Sequence, residues 1–235
     1  MVKRVILITG ASSGIGLEYA KYFSQKNYFV AVCARSKNIL KKNFQNCENV
    51  FYQKVDLKKE SEIKKFVKSV IRKYKRIDIL INNAGIAKQQ KIQNLDYDYL
   101  SSAFKVNIIS YFLFIKECLP IMKKNKFGRI VNISSGGSVN CVSNYSVYSA
   151  TKAAVNTLAK SFSNEIDPRY NIKINSISPG PCKTKMFPNN PLSPVKSIST
   201  LEKVISDNLK VPTGEFYFFM KKKNVIPNIK FVLKK

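Results

Sequence analysis

The stretch Val5-Ile6-Leu7-Ile8-Thr9-Gly10-Ala11-Ser12-Ser13-Gly14-Ile15-Gly16 decides how the rest of the chain is read. Its short apolar run predicts a buried strand that ends at Thr9-Gly10, and the glycines that follow open a helix. Glycines let a backbone turn sharply and approach a pyrophosphate, whose charge is met by free amide groups and the positive end of the helix dipole. An ordinary tight turn is the alternative. The position after a first strand and before a helix favours a dinucleotide site built from Thr9, Gly10, Ser12, Ser13, Gly14, Ile15 and Gly16.

Further β-rich runs at 29–34, 50–55, 77–82, 129–134 and 172–177 alternate with longer helical patterns. That spacing calls for parallel strands joined by right-handed crossovers. The expected class is α/β, a doubly wound Rossmann fold with a parallel sheet of about seven strands and helices on both faces. A Pro- and Asn-rich stretch from 179 to 194 breaks the pattern and reads as a mobile loop. A short helix near 199–209 and a strand near 215–219 follow. The chain is expected to be a single dinucleotide-binding catalytic domain over 1–235, with a substrate loop and short helix over 179–210 and a basic tail over 221–235.

At 235 residues, 45% hydrophobic and 23% charged, the chain can bury a large core, and disorder is set aside. The formal charge of +27 raises the possibility of a polyanion partner. Its basic residues are spread along the chain, however, and only six of 41 are Arg, the residue suited to base readout. Solvated lysines are the simpler reading, so no dedicated nucleic-acid site is expected. Five cysteines form no C-x-x-C pair and no His is present, which argues against a disulfide framework and a zinc set; no metal is expected. No run approaches 18 apolar residues and no signal segment is evident, so the expected setting is cytoplasmic, without a membrane span.

The tip of the second strand selects between dinucleotides, because an acid there would bind the ribose 2′-hydroxyl of NAD. The chain reads Val32-Cys33-Ala34-Arg35-Ser36, with no acid. Arg35 suits the 2′-phosphate of NADP, with Ser13 adding a hydroxyl, so NADP(H) is expected in preference to NAD(H). Asp56-Leu57, at the end of the third strand, is expected beside the adenine.

Tyr148 and Lys152 lie four apart in a good helix former, Tyr-Ser-Ala-Thr-Lys-Ala-Ala, and therefore project from one face. A phenol is a poor base at neutral pH, but a nearby ammonium favours its phenolate and brings its pKa toward the working range. Ser135 ends a separate strand and is placed to hydrogen-bond a substrate oxygen. Alone, a Tyr-x-x-x-Lys pair is usually a surface coincidence; the accompanying motifs reverse that reading.

In order along nearly its whole length the chain resembles the short-chain dehydrogenase/reductase family. Thr9 to Gly16 resembles T-G-x-x-x-G-x-G, Asn82-Asn83-Ala84-Gly85 resembles N-N-A-G, and Asn107, Ser135, Tyr148 and Lys152 fit the catalytic tetrad. Pro179-Gly180 with Thr184 resembles the segment that contacts the nicotinamide end. The resemblance implies hydride exchange between nicotinamide C4 and a carbonyl or alcohol substrate. Tyr148 would handle the oxygen-bound proton, Ser135 polarise the oxygen, Lys152 hold the nicotinamide ribose, and Asn107 support a water chain to Lys152. Asn83, Ala84 and Gly85 would shape the turn beside the cofactor. Tyr145 has Ser149 rather than Lys four residues on and is a decoy.

The carboxy-terminal third resembles carbonyl-reductase-like members, with a loop after Thr184 that leaves little lid. The basic tail departs from the family pattern. Cys182 reads as a buried or idle thiol. Many relatives are tetramers through the helices carrying Asn107 and Tyr148, whereas carbonyl-reductase-like relatives include monomers; a homo-oligomer is expected. The leading expectation is an NADPH-dependent carbonyl reductase or alcohol dehydrogenase. A 3-oxoacyl thioester reductase and a non-catalytic NADPH sensor or scaffold are the alternatives.

Overall fold

The computed structural model describes residues 3–207, 210–218 and 221–223. The chain begins with β1 (Arg4–Thr9), α1 (Gly14–Ser24), β2 (Tyr28–Ala34), α2 (Lys37–Phe44), β3 (Val50–Lys54), α3 (Glu60–Tyr74) and β4 (Ile79–Asn82). It continues through α4 (Tyr97–Phe104), a π-helical turn at Lys105–Ile109, α5 (Ser110–Lys124), β5 (Phe127–Ile133), α6 (Gly137–Asn140), α7 (Ser146–Glu165) and β6 (Asn171–Ser178). It closes with α8 (Ile198–Ile205), β7 (Phe216–Phe218) and β8 (Lys221–Lys223).

The strands form one sheet in the order β3-β2-β1-β4-β5-β6-β7-β8. The seven expected strands are all present and parallel. An eighth was not foreseen: the start of the basic tail, Lys221–Lys223, pairs antiparallel with β7. Its lysines carry no apolar alternation, so nothing in the sequence marks them as a strand. The rest of the tail, 224–235, lies outside the described residues, as do 208–209 at the end of the expected short helix.

Period-two alternation along β1 explains why helices cover both faces. Val5 and Leu7 enter a core with Phe66, Val67 and Val70 of α3 and Phe114 and Cys118 of α5. Ile6 and Ile8 enter a second core with Tyr19 and Phe23 of α1, Leu40 and Phe44 of α2, and Leu201 and Val204 of α8. Because β1 pairs with β2 on one side and β4 on the other, the winding reverses between β1 and β4. A crevice therefore opens at the carboxyl ends of these strands, where doubly wound sheets place their ligands. Among the described residues, no helix is long and apolar enough to cross a membrane.

Candidate active site

The turn after β1 is held against the turn after β4. The Thr9 hydroxyl accepts the Asn83 and Ala84 amides at 3.0 and 3.1 Å, while the Asn83 side-chain amide donates to Thr9 O at 2.8 Å. Gly10 has φ +70°, and a Cβ there would lie 2.8 Å from Ala84 Cα, so only glycine fits. Ser13 gives α1 no side-chain cap, and the first backbone bond into the helix runs from the Leu17 amide to Ser13 O at 3.4 Å. Gly14 and Ile15 line the cleft just before that bond. Uncapped amides at the N-terminus of an eleven-residue helix with no acid in its first turn suit an anionic pyrophosphate.

This turn forms one end of a cleft of about 890 Å³. Its wall includes Gly10, Ser12, Ser13, Gly14 and Ile15, then Arg35, Asp56 and Leu57, then Asn83, Ala84 and Gly85. Ser135, Tyr148, Lys152, Pro179, Gly180 and Thr184 line the same space. The expected cofactor and catalytic positions thus converge on one cavity, apart from three that stand behind its wall: Thr9, Gly16 and Asn107. Thr9 and Asn107 are buried, and a Cβ at Gly16 would collide with the Asn83 side chain. Their part is to fix the turns that others present. Lys58, which no motif in the sequence marks, lines the same end as the exposed Arg35.

Tyr148 and Lys152 share the inner face of α7. The Ser135 hydroxyl lies close enough to the Tyr148 phenol to pull its pKa down, and it accepts the Gly137 amide at 3.1 Å. Lys152 is 2% exposed; its ammonium donates to Ile133 O at 2.6 Å and to the Tyr111 hydroxyl at 3.3 Å. Burial pushes Lys152 down to about 7. Burial also raises the Tyr148 phenol, against the downward pull of Ser135. This corrects the expectation that a neighbouring ammonium would lower the phenol. Desolvation is the largest influence on both groups and disfavours the charged form of each.

Asn107 sits in the π-helical turn and bonds Ile86 twice: its oxygen accepts the Ile86 amide at 2.9 Å and its nitrogen donates to Ile86 O at 3.0 Å. The same nitrogen donates to the Thr151 hydroxyl at 3.0 Å. A Cβ at Gly85 would lie 3.5 Å from both Asn107 Oδ1 and Lys152 Nζ, so that glycine keeps the space between them open.

The 179–194 segment, expected as a loop, is a loop bonded to itself. Lys183 N donates to Leu192 O at 2.7 Å, Leu192 N to Pro181 O at 3.1 Å, and the Asn190 side chain to Cys182 O at 3.3 Å. Buried Cys182 donates its thiol to Pro179 O at 3.2 Å and is pushed up to about 11 by burial, consistent with an idle thiol. The loop is short, yet it covers the site. Thr184 Cγ2 lies 3.3 Å from where a Gly14 Cβ would be, and the Phe187 ring rests 5.9 Å from Tyr148 and 5.6 Å from Tyr145. Tyr145 is therefore a wall residue, a role its lack of a lysine partner did not disclose. Val142, Met186 and Phe218 extend that wall. No periodic pattern marks these residues, since they come from separate loops and a strand.

Comparison with known proteins agrees with this geometry. Residues 4–193 match the family model for short chain dehydrogenase. The chain is 33% identical over 217 residues to the uncharacterized oxidoreductase YxjF of Bacillus subtilis, covering 87% of this chain and 83% of that protein. It is 33% identical to the 3-oxoacyl-[acyl-carrier-protein] reductase FabG of Thermotoga maritima, covering 78% and 76% respectively. Among solved structures, a variant of actinorhodin polyketide ketoreductase with NADPH superposes with a TM-score of 0.86 at 25% identity, covering 92% of this chain and 95% of that one. The chain belongs to the short-chain dehydrogenase/reductase family, NAD(P)-dependent oxidoreductases that act on CH–OH and C=O groups.

Proposed function

We propose that this protein is an NADP(H)-dependent carbonyl reductase or alcohol dehydrogenase in which Tyr148 passes a proton to or from the substrate oxygen. The observation that carries this reading is the convergence of Tyr148, Ser135 and the buried Lys152 on one cleft wall, with Ser135 acting on the Tyr148 phenol. The bound dinucleotide supplies or accepts hydride at its nicotinamide. Ser135 would share a substrate oxygen with Tyr148, and Lys152, whose ammonium lies 5.8 Å from the centre of the Tyr148 ring, would turn its remaining proton toward the ribose hydroxyls. With its proton retained by burial, Tyr148 is set to donate in the direction of carbonyl reduction.

Selection of NADP(H) rests on Arg35 and Lys58 at the far end of the cleft, beside the hydroxyls of Ser12 and Ser13. Asp56 lines that end as well, but its Oδ1 accepts the Lys58 amide at 3.0 Å and so is turned toward its own loop. The substrate side, walled by Val142, Tyr145, Met186, Phe187 and Phe218, favours a carbonyl on an apolar body of ring size over a small polyol. Similarity to the Thermotoga reductase favours a second reading, reduction of a 3-oxoacyl thioester.

NADPH oxidation across ketones, aldehydes, quinones and 3-oxoacyl thioesters separates these readings. Turnover of apolar ring ketones supports the first and turnover restricted to thioesters the second. Silence across the panel, with NADPH still bound, would leave a cofactor sensor.

A further inference from the structure

We propose that Tyr111 is a positioning residue whose hydroxyl holds the Lys152 ammonium in its charged, inward-facing state. Tyr111 projects from α5 behind the cleft and is fully buried. Its hydroxyl donates to Ala84 O at 2.8 Å and accepts from Lys152 Nζ at 3.3 Å. It thereby ties the turn after β4 to α7, and the Lys152 ammonium also lies 5.3 Å from the centre of its ring.

An ammonium has three protons to place. Ile133 O and the Tyr111 hydroxyl take two on the inner side, which leaves one for the cleft. Among the described residues no carboxylate pairs with Lys152. Tyr111 and Tyr148 are the titratable groups that face it. Tyr99 of α4 and Tyr145 act on Tyr148 instead, and β5 leads into Ile133, whose carbonyl takes one ammonium proton. In so dry a setting the charged form depends on its few acceptors. Burial holds the Tyr111 phenol well above its ordinary value, so it stays protonated and has no outlet to solvent. Tyr111 is thus a clamp and not a proton relay.

Tyr111→Phe keeps the ring and removes the acceptor. In the cofactor-free full chain labelled with 13Cε-lysine, the resonance that is absent from Lys152→Met reports the lysine titration. Its midpoint is expected to fall by about half a unit to one unit in Tyr111→Phe. Tyr111→Leu, which packs differently but also lacks the hydroxyl, is expected to move it the same way, and an unmoved midpoint in either folded variant overturns the proposal.

The kinetic arm rests on the proposed function. For carbonyl reduction by Tyr111→Phe, kcat is expected near native well below the midpoint and about three- to tenfold down above it. A loss equal at every pH would indicate a packing role and contradict the clamp. If the native protein turns over no carbonyl yet the midpoint still moves, the functional reading fails while the clamp stands.

Discussion

The ring of Phe187 packs edge-on against that of Tyr148, 5.9 Å between centroids at 63°, and so places a loop residue directly against the proposed proton donor. Phe187 also meets Tyr145 at 5.6 Å, and the three aromatic residues line one side of the proposed substrate space. Phe187→Ala removes an apolar contact worth about 1.5–3 kcal/mol when fully buried. The expected result is a KM for an apolar ring ketone raised roughly tenfold or more, with NADPH affinity within about twofold of native. Steady-state kinetics with a ring ketone and a short-chain ketone test this. A KM that rises equally for both would remove Phe187 from substrate selection.

Arg35 stands exposed just past the end of β2 and lines the proposed cofactor cleft. NADPH is expected to bind at least about tenfold more tightly than NADH, and Arg35→Ala to bring the two within about threefold. Titration of both cofactors against protein fluorescence measures the gap. Equal affinities in the native protein would end the NADP assignment.

Lys152 should leave a mark on folding stability. Its folded-state pKa of about 7 lies below that of an unfolded lysine, near ~10.4. Between these values the unfolded chain binds more protons. The group therefore makes stability rise with pH across about 7 to 10, and its full cost is present below pH 7. Lys152→Met is expected to raise the stability of the cofactor-free protein near pH 6, by at most a few kcal/mol, and to flatten its rise toward pH 10. Denaturant unfolding at pH 6 and pH 9 gives both quantities. A variant less stable than native at pH 6 would mean that the buried ammonium costs the fold nothing.

Much of this organisation was legible in the sequence because it is local. β1 declares itself by four apolar residues followed by glycines, and Tyr148 and Lys152 by spacing on one helix. What the sequence hid depends on chain segments far apart. Phe187 reaches Tyr145 and Tyr148 only because residues 181–192 fold back on themselves, and Tyr111 reaches Lys152 only across the packing of α5 against the sheet. Charge environment was hidden for the same reason. The motif suggested an ammonium lowering a phenol, whereas burial of both groups sets the direction of each pKa. The strand Lys221–Lys223 was invisible because its pairing with β7 owes nothing to an apolar pattern.

The central claim, that Tyr148 handles the substrate proton, is tested most directly by Tyr148→Phe, assayed for NADPH oxidation with an active carbonyl substrate alongside NADPH binding. The account predicts a loss of kcat of about a thousandfold or more with the NADPH dissociation constant within about threefold of native. Turnover retained at close to the native rate in that variant would contradict it.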